Sequence, residues 1–144
     1  MQERINGVMK PIKYESNHTL YAVRALMTKD YKEITIGKLG TFSFQKGLYV
    51  YVGRAKRNLQ SRIERHIKLE KKQRWHFDYL RPFLQIIKIE TYSGDEGECQ
   101  LFQRLMVENK GHVPVRGFGS SDCNCKAHLF FVPLKLSFGS SVIE

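Results

Sequence analysis

Apolar residues in the first third of the chain fall into short dense or alternating runs broken by glycine; beyond residue 58 they recur at helical spacing. Residues 19–27, rich in apolar and aromatic side chains, predict a strand. Residues 33–36 and 41–45 read as short strands punctuated by Gly37, Gly40 and Gly47, and residues 48–52 as a further one. Around that strand, alternation puts Tyr49, Tyr51 and Gly53 on one face and Val50 and Val52 on the other. Leu59, Ile63 and Ile67 recur every four residues, which predicts an amphipathic helix over 58–69 with Asn58 as its N-cap. A short helix over 75–83, ended near Pro82, and a strand over 84–91 follow. Ser93-Gly-Asp-Glu96 has capping-box spacing and predicts a third helix reaching about Asn109. The C-terminal third reads as loop, with a strand at 129–132. Residues 1–16 read as a polar leader broken by Pro11, and residues 17–144 as a single domain with no linker to divide it.

Charge changes this picture. The chain carries 24 Lys+Arg against 14 Asp+Glu, a net of +10, and residues 54–74 alone hold nine Lys/Arg and two Glu. A local basic stripe of that kind is what a polyphosphate partner requires, although a solvated helix face kept soluble by its charge has the same composition. Arg54, Lys56, Arg57, Arg65, Lys68, Lys71, Lys72 and Arg74 are the candidate phosphate contacts. No apolar stretch approaches the roughly 20 residues of a membrane span, and the first 16 residues lack a hydrophobic signal core, so a cytoplasmic protein is expected. Three cysteines are too few for a disulfide scaffold, which agrees with a reducing compartment.

Few residues stand out as chemistry. Glu98 precedes Leu101, Phe102 and Leu105 by three, four and seven positions, which puts a carboxylate in the apolar stripe of the third helix. Such a carboxylate binds a metal, pairs with an arginine, or sits at an edge that reaches water. Arg62 and His66, four apart, flank the buried stripe of the first helix, where a guanidinium fork and an imidazole can meet a phosphate or serve as plain surface residues. Tyr21, Tyr49 and Tyr51 come together if their strands pair, either as packing or as phenols that move a proton with help from nearby cations. Cys123-Asn-Cys125-Lys-Ala-His128, with Cys99 and His112 as further ligands, offers zinc donors without the usual Cys-x-x-Cys spacing; buried thiols are the alternative. His76 and Asp78, in Trp75-His-Phe-Asp-Tyr-Leu80, form a weaker metal pair in a segment that otherwise reads as packing.

Several blocks together resemble the GIY-YIG nuclease superfamily, most closely its small archaeal-type, or Uri-type, branch. They are Gly37-Lys-Leu-Gly40, Tyr49-Val-Tyr-Val-Gly-Arg-Ala55, Arg65-His66, Trp75-His-Phe-Asp-Tyr-Leu80, Glu98-Cys99 and Phe118-Gly-Ser-Ser-Asp-Cys-Asn-Cys-Lys-Ala-His-Leu129. Residues 51–62 also resemble the incision domain of bacterial excision-repair nucleases. The resemblance makes Tyr51 the YIG tyrosine, Arg62 the helix arginine and Glu98 the metal-binding glutamate, with His66 one turn after the arginine. Thr19-Leu20-Tyr21 stands for GIY without its glycine, and a hairpin inserted at about 31–46 would explain the 30 residues from Tyr21 to Tyr51. The superfamily's late asparagine has no clear counterpart, Asn109 being only roughly in place.

The fold this implies is α/β: a small central antiparallel sheet flanked by helices, with an inserted β-hairpin and a Cys-containing C-terminal extension. The implied function is metal-dependent endonucleolytic hydrolysis of a phosphodiester, in DNA, with no membrane partner. In that scheme Glu98 holds Mg²⁺ (or Mn²⁺) against a phosphate oxygen and the leaving 3′-oxygen. Tyr21 or Tyr51 helps deprotonate the attacking water, and Arg62, with His66 and Arg54, stabilises charge on the phosphorus. The altered GIY strand keeps open a second reading, a GIY-YIG-shaped module that grips nucleic acid without cutting it.

Overall fold

The computed structural model describes residues 2–5, 8–11, 17–120, 125–134, 138–139 and 141–142. Strands β1 (Gln2–Ile5) and β2 (Val8–Pro11) pair antiparallel, so part of the stretch read as a leader forms a ribbon. Next come β3 (Leu20–Met27), β4 (Tyr31–Ile36), β5 (Gly40–Phe44) and β6 (Gly47–Arg54), then helices α1 (Leu59–Ile67) and α2 (His76–Leu80), the latter ending in a 3₁₀ turn, Arg81–Phe83. Strand β7 (Gln85–Tyr92), helix α3 (Glu98–Glu108), strand β8 (Leu129–Pro133) and the short pair β9 (Phe138–Gly139) and β10 (Ser141–Val142) complete the order.

The central sheet has the order β7-β3-β6-β8, antiparallel throughout. Strand β3 lies inside it and is almost wholly buried, because helices cover both faces. Helices α1 and α2 bring His66 and Phe77 onto the face of Tyr51, while Phe102 of α3 packs on Phe130, the cross-strand partner of Val50 on the opposite face. The β4–β5 ribbon is a separate two-stranded sheet, inserted between the paired strands β3 and β6 and packed on α2. It accounts for the long interval between Tyr21 and Tyr51. The fold is therefore the flanked antiparallel sheet with inserted hairpin that the sequence implied.

Two helix starts differ from expectation. Asn58 precedes α1 in the left-handed region, φ 51°, and its side chain caps nothing. Asparagine tolerates that conformation, so the residue serves the turn instead of the cap. Helix α1 also stops at Ile67, held there by Arg81. This buried guanidinium donates from Nε and Nη2 to the Ile67 carbonyl, at 3.0 and 2.7 Å, and from Nη1 to the Leu84 carbonyl at 2.9 Å. The cation satisfies a carbonyl at the negative end of the helix. Helix α3 begins at Glu98, not near Ser93: the Gln100 side chain accepts the Gly97 N–H at 2.8 Å, and Ser93 instead accepts from Asp95 N–H in the preceding turn.

Candidate active site

The antiparallel register sets the site. Tyr21 of β3 stands opposite Gly53 of β6, and Val23 opposite Tyr51. A Cβ on Gly53 would fall 2.3 Å from the Tyr21 phenol oxygen, so only glycine lets that ring lie across β6. The phenol then reaches α1, where its oxygen lies 2.7 Å from Nε2 of the buried His66. Tyr51 stacks on Phe77, with ring centroids 4.7 Å apart, and turns its ring toward His66.

Nδ1 of His66 is buried with no hydrogen-bond partner among the described residues. A buried N–H without an acceptor costs more than an unused lone pair, so the favoured tautomer carries its proton on Nε2 and donates to the Tyr21 oxygen. Burial, reinforced by the Lys71 ammonium, draws the His66 pKa down to about 3. Burial pushes the Tyr21 phenol well above its ordinary value, opposed by the nearby Arg62 guanidinium. Tyr51 is raised too, first by burial and then by the neighbouring Tyr21 and Glu98. At neutral pH the site therefore holds two neutral phenols and a neutral imidazole.

His66 makes stability depend on pH. The unfolded ring binds a proton below 6.5, which the folded ring refuses until about 3, so this stabilisation is complete above 6.5 and declines as pH falls. Between pH 7 and 5 the native protein is expected to lose about 2 kcal/mol more than His66→Gln does, read from urea denaturation at the two pH values. Equal losses in the two proteins would remove the neutral buried imidazole from the account.

A pocket of about 200 Å³ opens where these groups meet. Tyr21, Tyr51, Arg62, His66 and Glu98 all line it, joined by Arg54, Arg74, Trp75, His76 and His128. Arg62 donates to the Arg54 carbonyl at 3.0 Å and lies 4.7 Å from the Trp75 ring centroid. Glu98 is the pocket's only acid among the described residues. Its side chain is 27% exposed, stands in the first turn of α3, and places Oε2 3.5 Å from His128 Nδ1. Of the three readings of Glu98, the edge position that reaches water describes its setting, and that edge opens into the pocket. Burial lowers the His128 pKa, against the pull of Glu98. A solvated carboxylate at a helix N-terminus, beside open space for a phosphate, is the donor set Mg²⁺ accepts, since that ion keeps most of its water and takes one or two carboxylates.

A family profile described as "Domain of unknown function DUF123" matches residues 20–142. The chain belongs to this family. No curated protein and no solved structure matches it.

The basic stripe of this DUF123 domain divides in two. Arg54, Lys56, Arg57, Lys68, Lys72 and Arg74 are exposed, and Arg54 and Arg74 line the pocket. Arg65 and Lys71 are instead committed to Asp78, which removes them from the set of free phosphate contacts. Arg65 forks onto both carboxylate oxygens, at 3.0 and 2.9 Å, and stacks 4.2 Å from the Trp75 ring. Lys71 lies 3.5 Å from Asp78 and donates to the Arg65 and His66 carbonyls. Asp78 also accepts the Arg74 and Trp75 N–H groups. Burial alone would raise its pKa, but Arg65, the two N–H groups and Lys71 hold it at about 2. A carboxylate so engaged has no place for a metal, and Nδ1 of His76 accepts the Gly119 N–H at 2.8 Å, so the His76–Asp78 metal pair is set aside.

The cysteine reading also changes. Cys99 and Cys125 are joined as a disulfide, where reduced thiols were expected. His128 borders them, with Nε2 3.5 Å from Cys99 Sγ. Cys123 lies outside the described residues, and His112 is not part of the cluster. Asn109 does not reach the pocket; its side chain donates to the Leu105 carbonyl and closes α3. The sequence suggests packing for Trp75 and a zinc ligand for His128; periodicity does not place either in the pocket, because loops deliver both. No described helix is long and apolar enough to cross a membrane.

Proposed function

We propose that this protein is a metal-dependent endonuclease of GIY-YIG type, with a Uri-like arrangement, which hydrolyses phosphodiester bonds in DNA. The single observation that carries this reading is the convergence of Tyr21, Tyr51, Arg62, His66 and Glu98, drawn from two strands and two helices, around one pocket. Exposed cations flank that pocket, and they bind phosphates on either side of the scissile bond in a salt-dependent way. Arg62 and Arg54 hold the reacting phosphate and counter the charge that builds on it. The Tyr21 oxygen orients the attacking water. The phenol first loses its own proton to solvent, giving a phenolate that the His66 Nε2–H and the Arg62 guanidinium stabilise; this phenolate takes the proton of the attacking water and returns to the neutral phenol. Tyr51, backed by the stacked Phe77 ring, lines the same pocket and helps to fix the water. Glu98 would hold a Mg²⁺ or Mn²⁺ ion, which supplies Lewis-acid stabilisation of the phosphate and of the departing oxygen.

A binding module without catalysis is the second reading. It draws its support from the raised phenol pKa values, which leave little phenolate at neutral pH. Incubation with supercoiled, single-stranded and branched DNA in Mg²⁺, with and without chelator, separates the two. Nicking that the chelator stops, rising with pH between 7 and 9 as the small phenolate fraction grows, is the expected result. Salt-dependent binding with no cleavage of any of these substrates would establish the module.

A further inference from the structure

The motif Cys123-Asn-Cys125-Lys-Ala-His128 takes no part in the proposed hydrolysis, yet the fold brings two of its donors onto Cys99 at the start of α3. The ligand atoms of Cys99, Cys125 and His128 all lie within 4.8 Å of one another. Tetrahedral zinc, with bonds near 2.3 Å to sulfur and 2.0 Å to nitrogen, separates a sulfur from a nitrogen by about 3.5 Å. Cys99 Sγ and His128 Nε2 stand 3.5 Å apart. The other ring nitrogen of His128 faces Glu98 Oε2 at 3.5 Å, the carboxylate–histidine arrangement that fixes the tautomer of a metal-binding imidazole. Both sulfurs also lie on the wall of a second cavity, so an ion has a path to them.

We propose that Cys99, Cys125 and His128 form a site for one Zn²⁺ in the reduced protein, and that the Cys99–Cys125 disulfide is the alternative, oxidised state of the same site. The two states exclude each other, because the S–S bond consumes both sulfur ligands of the site. A thiol reductant transfers two electrons and two protons to the disulfide, and the resulting thiols release their protons on binding the ion. Peroxide reverses this: it takes two electrons from the thiolates, is reduced to two waters with two protons from solvent, and the ion leaves as the S–S bond forms. The site is independent of whether the neighbouring pocket cleaves anything.

Cobalt(II) is the probe, since thiolate coordination gives it a charge-transfer absorption. Reduced protein is expected to bind one equivalent with that absorption, to exchange it for zinc, and to release the metal on oxidation with peroxide. Cys99→Ser and Cys125→Ser should each weaken binding about a hundredfold or more. Glu98→Gln, which leaves all three ligands in place, should weaken it about tenfold through the His128 ring. The wild-type comparison of reduced and oxidised protein needs no variant to fold. Absence of the thiolate band in reduced protein, an undiminished cobalt affinity in Cys99→Ser, or equal zinc content in the two redox states would each overturn the proposal.

Discussion

Glu98→Gln is expected to lower the rate of Mg²⁺-dependent nicking by roughly a thousandfold or more, while DNA affinity stays within about threefold of the native value. The size of the effect follows from the pocket's composition. Among the described residues it holds one acid, so nothing else in the lining replaces the lost anionic ligand. The substitution preserves the volume of the side chain, and the helix start rests on Gln100 and Gly97. Because the Glu98 side chain already reaches water, stability should change by about 0.5 kcal/mol or less. Nicking of a supercoiled plasmid, filter binding and urea denaturation read the three quantities separately. A glutamine variant that cuts within tenfold of the native rate would sink the assignment of Glu98 as metal ligand, whatever its stability.

Asp78→Ala should be the most destabilising change at any of the charged positions considered, at about 3–5 kcal/mol. The carboxylate has no exposed surface and gathers the Arg65 fork, the Lys71 ammonium and two main-chain N–H groups. Its removal leaves Lys71, only 7% exposed, with no carboxylate within ion-pair distance among the described residues. Burial already draws that ammonium down to about 8 against the pull of Asp78, so the variant's Lys71 should titrate lower still. Asp78→Asn keeps the shape and one acceptor, and should retain part of the stability. A loss under about 1 kcal/mol in Asp78→Ala, measured by urea unfolding at pH 7, would show that the network contributes little. The change also carries a functional consequence, since Asp78 ties down the loop that sets Trp75 and Arg74 at the mouth of the pocket.

Much of this molecule was legible in its sequence because periodicity is a local property. Strands β3 and β6, the hairpin of β4 and β5, and the helical stripe of Leu59, Ile63 and Ile67 all follow from side-chain alternation and glycine placement. The two misread helix starts show where that reading weakens. At Asn58 and Ser93 the sequence offers a cap, but the chain around it decides whether the side chain turns toward the helix or toward the preceding turn.

Residue type and spacing singled out Tyr21, Tyr49, Tyr51, Arg62, His66 and Glu98 among other candidates, and the GIY-YIG resemblance narrowed the phenols to Tyr21 and Tyr51. The meeting of those two phenols with Arg62, His66 and Glu98 depends on the Tyr21–Gly53 register and on helices packed against opposite faces of one sheet. The division of the cations was invisible in one dimension: Arg65 and Lys71 resemble Lys68 and Lys72 until folding buries Asp78 beside them. The same holds for Cys99, which sits 26 residues from Cys125 and meets it only when α3 packs beside the segment leading into β8. Sequence sets the local conformation and supplies the chemical groups. Which of those groups are spent on one another, and which are left facing a pocket, is decided by contacts between residues far apart in the chain.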